Sequence, residues 1–155
     1  MNKILLIFFV LVSTYSYAQI KNFLFIGMDR DLLKDTNYFK PNLFDGVQIA
    51  YSWRQLEPQK DNYDFSIVEE DLKILKNYQK KLFIQFEDVS FSMQYNHAPN
   101  YILEDSIYHG GSNKQYKFKD HRELEYADLG WVTRRWDPNV QKRLYKLFKA
   151  LGKKI

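Results

Sequence analysis

The chain has no cysteine, which excludes a disulfide framework, a thiol nucleophile and any cysteine-ligated zinc or iron–sulfur site. Proline is scarce, with 4 in 155 residues, while 45% of residues are hydrophobic and 27% charged. That composition belongs to one ordinary globular domain and to neither a disordered tail nor a collagen-like repeat. Charge of one sign is not concentrated: 23 Lys and Arg stand against 19 Asp and Glu, a net +4. The basic residues are scattered among acids, whereas a nucleic-acid footprint needs a stripe or cluster, so no nucleic-acid partner is expected. A phosphate loop, a dinucleotide fingerprint and a G-x-S-x-G elbow are all missing. His97, His109 and His121 form no H-x-H or H-E-x-x-H pair, so no metal site is expected, and no cofactor is implied.

Long apolar runs are also lacking, with one exception at the start. Residues 4–12 are continuously apolar, follow Met1-Asn2-Lys3, and lead to Ser16-Tyr17-Ala18. A charged n-region, an h-region too short to span a bilayer and an A-x-A-like site before Gln19 are read as a signal peptide over residues 1–18, the alternative being an uncleaved N-terminal anchor. The expected location is secreted or periplasmic, with no membrane partner after cleavage. No cysteine near the cleavage point offers a lipoprotein anchor.

What is present is a βα pattern. Residues 22–28 (NFLFIGM), 46–52 (GVQIAYS) and 81–87 (KLFIQFE) are short runs rich in aromatic and branched residues, as buried parallel strands require. Between the second and third lies a helix with Ser66 as N-cap and Glu69 completing a capping box; Val68, Leu72 and Leu75 form its sheet-facing stripe. A weaker helical segment covers 30–39. A last helix starts at Asp137 as N-cap with Pro138 at its first position, runs through Val140, Leu144, Leu147, Phe148 and Leu151, and stops at Gly152. Its basic end, residues 142–154, is read as complementing the helix dipole, in preference to a membrane contact. Residues 88–137 form a long connection of the kind that serves as a lid or binding loop, with residues 109–113 as a mobile tip.

Strand, helix, strand, helix, strand predicts an α/β fold with parallel strands in the order 1-2-3 and right-handed crossovers. A three-stranded parallel sheet leaves both edges unpaired. A (β/α)8 barrel takes about 250 residues, of which the chain after Gln19 supplies about half. The expectation is therefore a partial (β/α)8 barrel of about three βα units, the N-terminal part of a larger one, truncated before the fourth strand.

From the second strand the chain continues Tyr51-Ser52-Trp53-Arg54-Gln55-Leu56-Glu57-Pro58, then residues 59–62, then Tyr63-Asp64-Phe65-Ser66. This resembles the W-x-x-L-E-P-x-x-G-x-Y-D-F-S segment after the second strand of barrel glycoside hydrolases, notably those similar to family 42 β-galactosidases and neighbouring retaining families. Asp61 stands where that pattern commonly has Gly, and Asp also tolerates a tight turn. Lys80-Lys81-Leu82-Phe83-Ile84-Gln85-Phe86 is similar to the third strand of such enzymes. Arg135-Trp136-Asp137-Pro138, and the helix ending Ala150-Leu151-Gly152, extend the likeness over residues 22–155.

The resemblance implies a secreted enzyme hydrolysing O-glycosyl bonds with a carboxyl pair about 5 Å apart if retaining, the acid/base ending the fourth strand and the nucleophile the seventh. Neither strand is predicted here, so no catalytic residue is assigned. Substrate contacts are expected from Gln85 and Glu87, which alternation places with Phe83 on one face of the third strand. Trp53 and Trp136 are the candidates for stacking on sugar rings, among 3 Trp, 12 Tyr and 12 Phe. Each of these residues is also open to a purely structural reading. Glu57 likewise is either a carboxylate bracing the turn or a catalytic group, and Asp29 with Arg30 reads as an ion pair on the rim. The expected function is the N-terminal portion of a glycoside hydrolase with a carbohydrate partner, an oligo- or polysaccharide; the alternative is a non-catalytic carbohydrate-binding or non-functional barrel fragment.

Overall fold

Branched and aromatic side chains crowd a helix but suit a pleated surface, and three runs of them become β1 (Phe23–Gly27), β2 (Gly46–Ser52) and β3 (Lys81–Glu87). A computed structural model describes residues 20–35, 37, 39, 43–119, 123–125 and 129–155. The expected leader and His121 lie outside the described residues. The strands form one parallel sheet in the order β1-β2-β3, as the short helical crossovers predict. β2 and β3 stay in register from Gly46↔Lys81 to Ser52↔Glu87, whereas β1 slips at an irregularity between Phe25 and Gly27.

Alternation divides the sheet into two unlike faces. Val47, Ile49 and Tyr51, with Leu24, Ile26, Leu82, Ile84 and Phe86, point into the hydrophobic core. The other face carries Phe23, Phe25, Gln48, Phe83, Gln85 and Glu87, none of them fully buried. Phe23 and Phe83 meet edge to face across β2, 5.8 Å between centroids. Gly46 permits this, since a Cβ there would overlap the Phe23 ring and the Lys81 carbonyl.

The core face is covered by helices, the last of which, over residues 138–154, adds Val140, Leu147 and Leu151 to the core and sets Phe148 against Phe86. α1 (Trp53–Leu56) is a single turn after β2, with Ser52 and Gln55 forming its capping box. α2 (Ser66–Asn77) buries Val68 and Leu75 as expected, and Leu72 packs alongside. The capping box expected at Ser66 does not form. The Asp64 carboxylate accepts the Ser66 N–H (2.9 Å), the helix starts one residue early, and Phe65 holds the cap position without a side-chain bond. In segment 30–39 the described residues show a 3-10 turn at Arg30–Lys34; part of the remainder lies outside the described residues.

Residues 88–137 are more structured than a bare loop. They contain α3 (Asn100–Glu104), a 3-10 turn (Ser106–Tyr108), and two antiparallel pairs: β4 (Ser112–Lys114) with β7 (Trp131–Thr133), and β5 (Lys117–Lys119) with β6 (Glu123–Glu125). The expected mobile tip is a pinned turn. His109, left-handed at φ 51°, places Nδ1 2.6 Å from Asp137 Oδ2, and Gly111 lies too close to Ile102 for any side chain. Asp137 also caps α4 (Pro138–Lys154) by accepting from the Asn139 and Val140 N–H groups. α4 runs past Gly152 to Lys154, whose ammonium meets Glu69 at 2.9 Å on α2; that bond and the absence of any crowding at Gly152 let the last turn continue.

Candidate functional site

The polar residues of the open face run from Gln48, within β2, to Glu87 at the C-terminal end of β3. Gln48 Nε2 donates to Gln85 Oε1 (2.6 Å), and Gln85 Nε2 donates to Glu87 Oε1 (3.2 Å). The register sets this ladder: Ala50 pairs with Gln85 and Ser52 with Glu87, so the small neighbours leave room for the long amides. Gln85 and Glu87 are thus brought together as expected. The N-terminal half of the same face carries Phe23, Phe25 and Phe83, with Gln48 between Phe25 and Phe83 in the register.

Trp53 stands at the same end but turns to the other side. Its ring is fully buried in the core beside Phe86, 6.2 Å between centroids, and offers no face for stacking a sugar. Trp53 continues the odd-numbered series Val47, Ile49 and Tyr51 that faces the core, and α1 begins there. Its Nε1–H donates to Glu57 Oε2 (2.9 Å).

Glu57 is the centre of a brace. Fully buried, it accepts from Trp53, from the Asp61 N–H (3.1 Å) and from Arg143 Nη2. Arg143 also donates to Asp61 Oδ1 (2.8 Å) and to the Tyr101 hydroxyl (3.2 Å). Burial alone would lower the guanidinium pKa, but the bonds to Asp61 and Tyr101 and the charge of Glu57 outweigh it and raise it. Asp61 is pulled below the ordinary carboxylate range, first by the Arg143 hydrogen bond. Its φ is 61°, the left-handed conformation that the turn demands and that Gly would adopt most easily. Tyr63 and Phe65 stack beneath this turn, 5.9 Å apart and nearly parallel.

Trp136 belongs elsewhere. It is 56% exposed, lies under the Arg134 guanidinium at 5.9 Å, and borders a separate cavity of about 480 Å³ with Val89, Gln115 and Val132. The structure therefore brings together Gln85 and Glu87 but neither Trp53 nor Trp136 with them. Nor do Asp29 and Arg30 pair. Asp29 accepts from the Asp31 N–H, while Arg30 Nε reaches buried Asp71 (3.0 Å), which also takes the Tyr51 hydroxyl (2.7 Å). Burial, then the bond to Asp71, raises the Tyr51 pKa.

A cleft that sequence patterning missed opens at the same end of the sheet. Of about 420 Å³, it lies between Met28 after β1, Ser52 and α1 at the end of β2, and the segment 90–97. Phe91 is 87% and Tyr95 66% exposed at its mouth. The signal was in the alternation of Ser90, Phe91, Ser92, Met93, Gln94, Tyr95 and Asn96, aromatic or apolar residues interleaved with short polar ones.

Neither protein-family models nor curated proteins give a match to the chain. Among the described residues no three His, Asp or Glu gather as a metal ion would require, and no helix is long and apolar enough to cross a membrane. Two carboxylates near this end are engaged by arginine: Glu57 is held by Arg143, and Asp88 receives two bonds from Arg135. Glu87, part-buried and bonded to an amide, keeps an oxygen for a ligand hydroxyl.

Proposed function

We propose that the chain is exported and forms the first βα units of a (β/α)8 barrel of glycoside-hydrolase type, with its open sheet face and C-terminal rim directed at a carbohydrate. The carboxyl pair for O-glycosyl hydrolysis would sit on further strands of that fold, and the residues here bind and orient. The observation that carries this reading is the Gln48–Gln85–Glu87 ladder, which runs along the open face of a parallel sheet to the C-terminal end of β3, the end at which barrel enzymes bind. Sugar hydroxyls donate and accept at once, so a fixed row of amide and carboxylate groups matches them where an apolar face would not. The arginine clamps on Glu57 and Asp88 favour binding over turnover in these three strands.

Affinity electrophoresis through gels holding galactomannan, xyloglucan or polygalacturonate tests the reading. Retardation by at least one neutral polysaccharide, weakened in Gln85→Leu, is the expected result; no retardation by any glycan would overturn it. Exported protein should begin at Gln19. Aryl-glycoside turnover that vanishes in Glu87→Gln would show that the chemistry, and not only the binding, resides here.

A further inference from the structure

We infer that the cleft bounded by Met28, α1 and the segment 90–97 is a subsite for a neutral, uncharged sugar ring, with Phe91 and Tyr95 as its stacking surfaces. The inference rests on the carbohydrate reading above and specifies which chemistry the rim accepts.

Exposure comes first. Phe91, Tyr95 and Met28 are among the exposed large apolar side chains, and all three border one cavity of about 420 Å³, within the range of small-ligand sites. Three such side chains around one opening gain free energy when a flat apolar surface covers them. The C–H faces of a pyranose are such a surface.

Between these aromatics the lining is made of hydroxyls and amides held in place. Gln55 Oε1 accepts from both the N–H and the hydroxyl of Ser52 (2.9 and 3.0 Å), which fixes the direction of its Nε2. Asn96 donates to Ser112 Oγ (2.7 Å) and accepts from the Ala98 N–H (3.0 Å). The backbone that carries them is anchored at both ends: Ser90 N–H to the Trp131 carbonyl (2.9 Å), and Arg54 N–H to the His97 carbonyl (2.8 Å). A ligand would therefore meet groups already positioned, with little ordering left to do.

Charge decides the class of sugar. Arg54 is the charged side chain lining the cleft among the described residues, and its Nε and Nη2 both donate to the Ala98 carbonyl (3.1 and 2.9 Å). His97 also lines the cleft and, when neutral, offers one donor and one acceptor. Among the described residues no carboxylate lines the opening to grip an amino sugar, and two of the guanidinium nitrogens are already spent on the Ala98 carbonyl. Amides and hydroxyls favour an uncharged polyhydroxy ring.

The test uses the full chain in affinity electrophoresis against galactomannan, xyloglucan and polygalacturonate, with Phe91→Ala, Tyr95→Ala, Phe91→Trp and Gln85→Leu. The alanine variants should each weaken binding to a neutral polysaccharide about 5- to 10-fold, Phe91→Trp should restore it, and polygalacturonate should not retard the chain. Both aromatics project into solvent, so the thermal midpoint should stay put, which separates lost binding from lost folding. Unchanged retardation in both alanine variants, with loss in Gln85→Leu, would overturn the cleft and leave the carbohydrate reading standing. Retardation by polygalacturonate equal to that by the neutral glycans would overturn the charge selectivity. Absence of binding to every neutral glycan would overturn both.

Discussion

Arg143 on α4 donates its Nη2 to the carboxylate of Glu57, 86 positions earlier, and water reaches almost none of either side chain. Removing two charges from water is costly, and the pair survives because nearly every polar atom on it has a partner. Glu57 takes bonds from Trp53 and the Asp61 backbone, and Arg143 gives bonds to Asp61 and Tyr101. The last helix is thereby clamped to the turn that follows β2, behind the end of the sheet where the candidate site lies.

Breaking one half of this pair should cost far more than a surface ion pair does. Arg143→Met is expected to destabilise the fold by about 3–5 kcal/mol, because it strands a buried carboxylate. Glu57→Gln should cost less, since Arg143 keeps Asp61 as a counter-charge, although the single amide oxygen can accept either from Trp53 or from Asp61 and Arg143. Urea unfolding of both single variants and the double variant measures the coupling; additive losses would show that the two groups do not depend on each other.

Acid should weaken the same brace in a defined direction. Asp61 has a folded pKa below its unfolded value of about 3.9, so its stabilisation is complete above the unfolded pKa and is lost as pH falls through the folded one. Asp137, lowered first by its bond with His109, has the same sign. Asp61→Asn should therefore be less stable than the parent at pH 7 and lose less on acidification from about pH 5 to 2. Parallel urea curves across that range would contradict it.

Gly46→Ala should destabilise by roughly 1–3 kcal/mol, since the added methyl overlaps both the Phe23 ring and the Lys81 carbonyl. Thermal unfolding checks the loss. Because Phe23 and Phe83 touch over this glycine, the variant should also disturb the ring signals of both in an NMR spectrum.

A stabilising change is available at the end of α2. Gln79 is exposed and left-handed (φ 56°), its N–H bonding the Lys76 carbonyl while the Lys80 N–H bonds that of Leu75. This is a Schellman closure with a side chain where Gly is favoured. Gln79→Gly should raise stability by about 0.5–1 kcal/mol, read as a higher urea midpoint with an unchanged slope.

The strands and their order were legible from residue order alone. Runs such as Gly46-Val47-Gln48-Ile49-Ala50-Tyr51-Ser52 pair branched residues with a period of two, and crossovers too short to skip a neighbour leave one parallel arrangement. The start of α4 at Asp137 and Pro138 was equally local, because a cap bonds N–H groups two and three residues on. Asp61 in a glycine-like turn was pointed to by the resemblance, whose pattern commonly has Gly at that position. The alternation that paired Gln85 with Glu87 also extended correctly to the last residue of β3.

Only the tertiary structure decided what the charges and the tryptophans do. Arg143 reads along the helix as one more basic residue, and nothing local distinguishes a solvated guanidinium from one whose partner lies 86 positions away. Arg30 likewise leaves its sequence neighbour Asp29 for Asp71, because Asp71 faces the core on α2 and needs a donor there. Trp53 follows Val47, Ile49 and Tyr51 in the two-residue period, so residue order put it on their side; that this side is the buried one was decided when the helices packed on it. Residue order sets what short-range bonding can select; the partners of buried charges, the choice of which sheet face is buried and the cleft around Phe91 and Tyr95 arise only when distant segments are packed together.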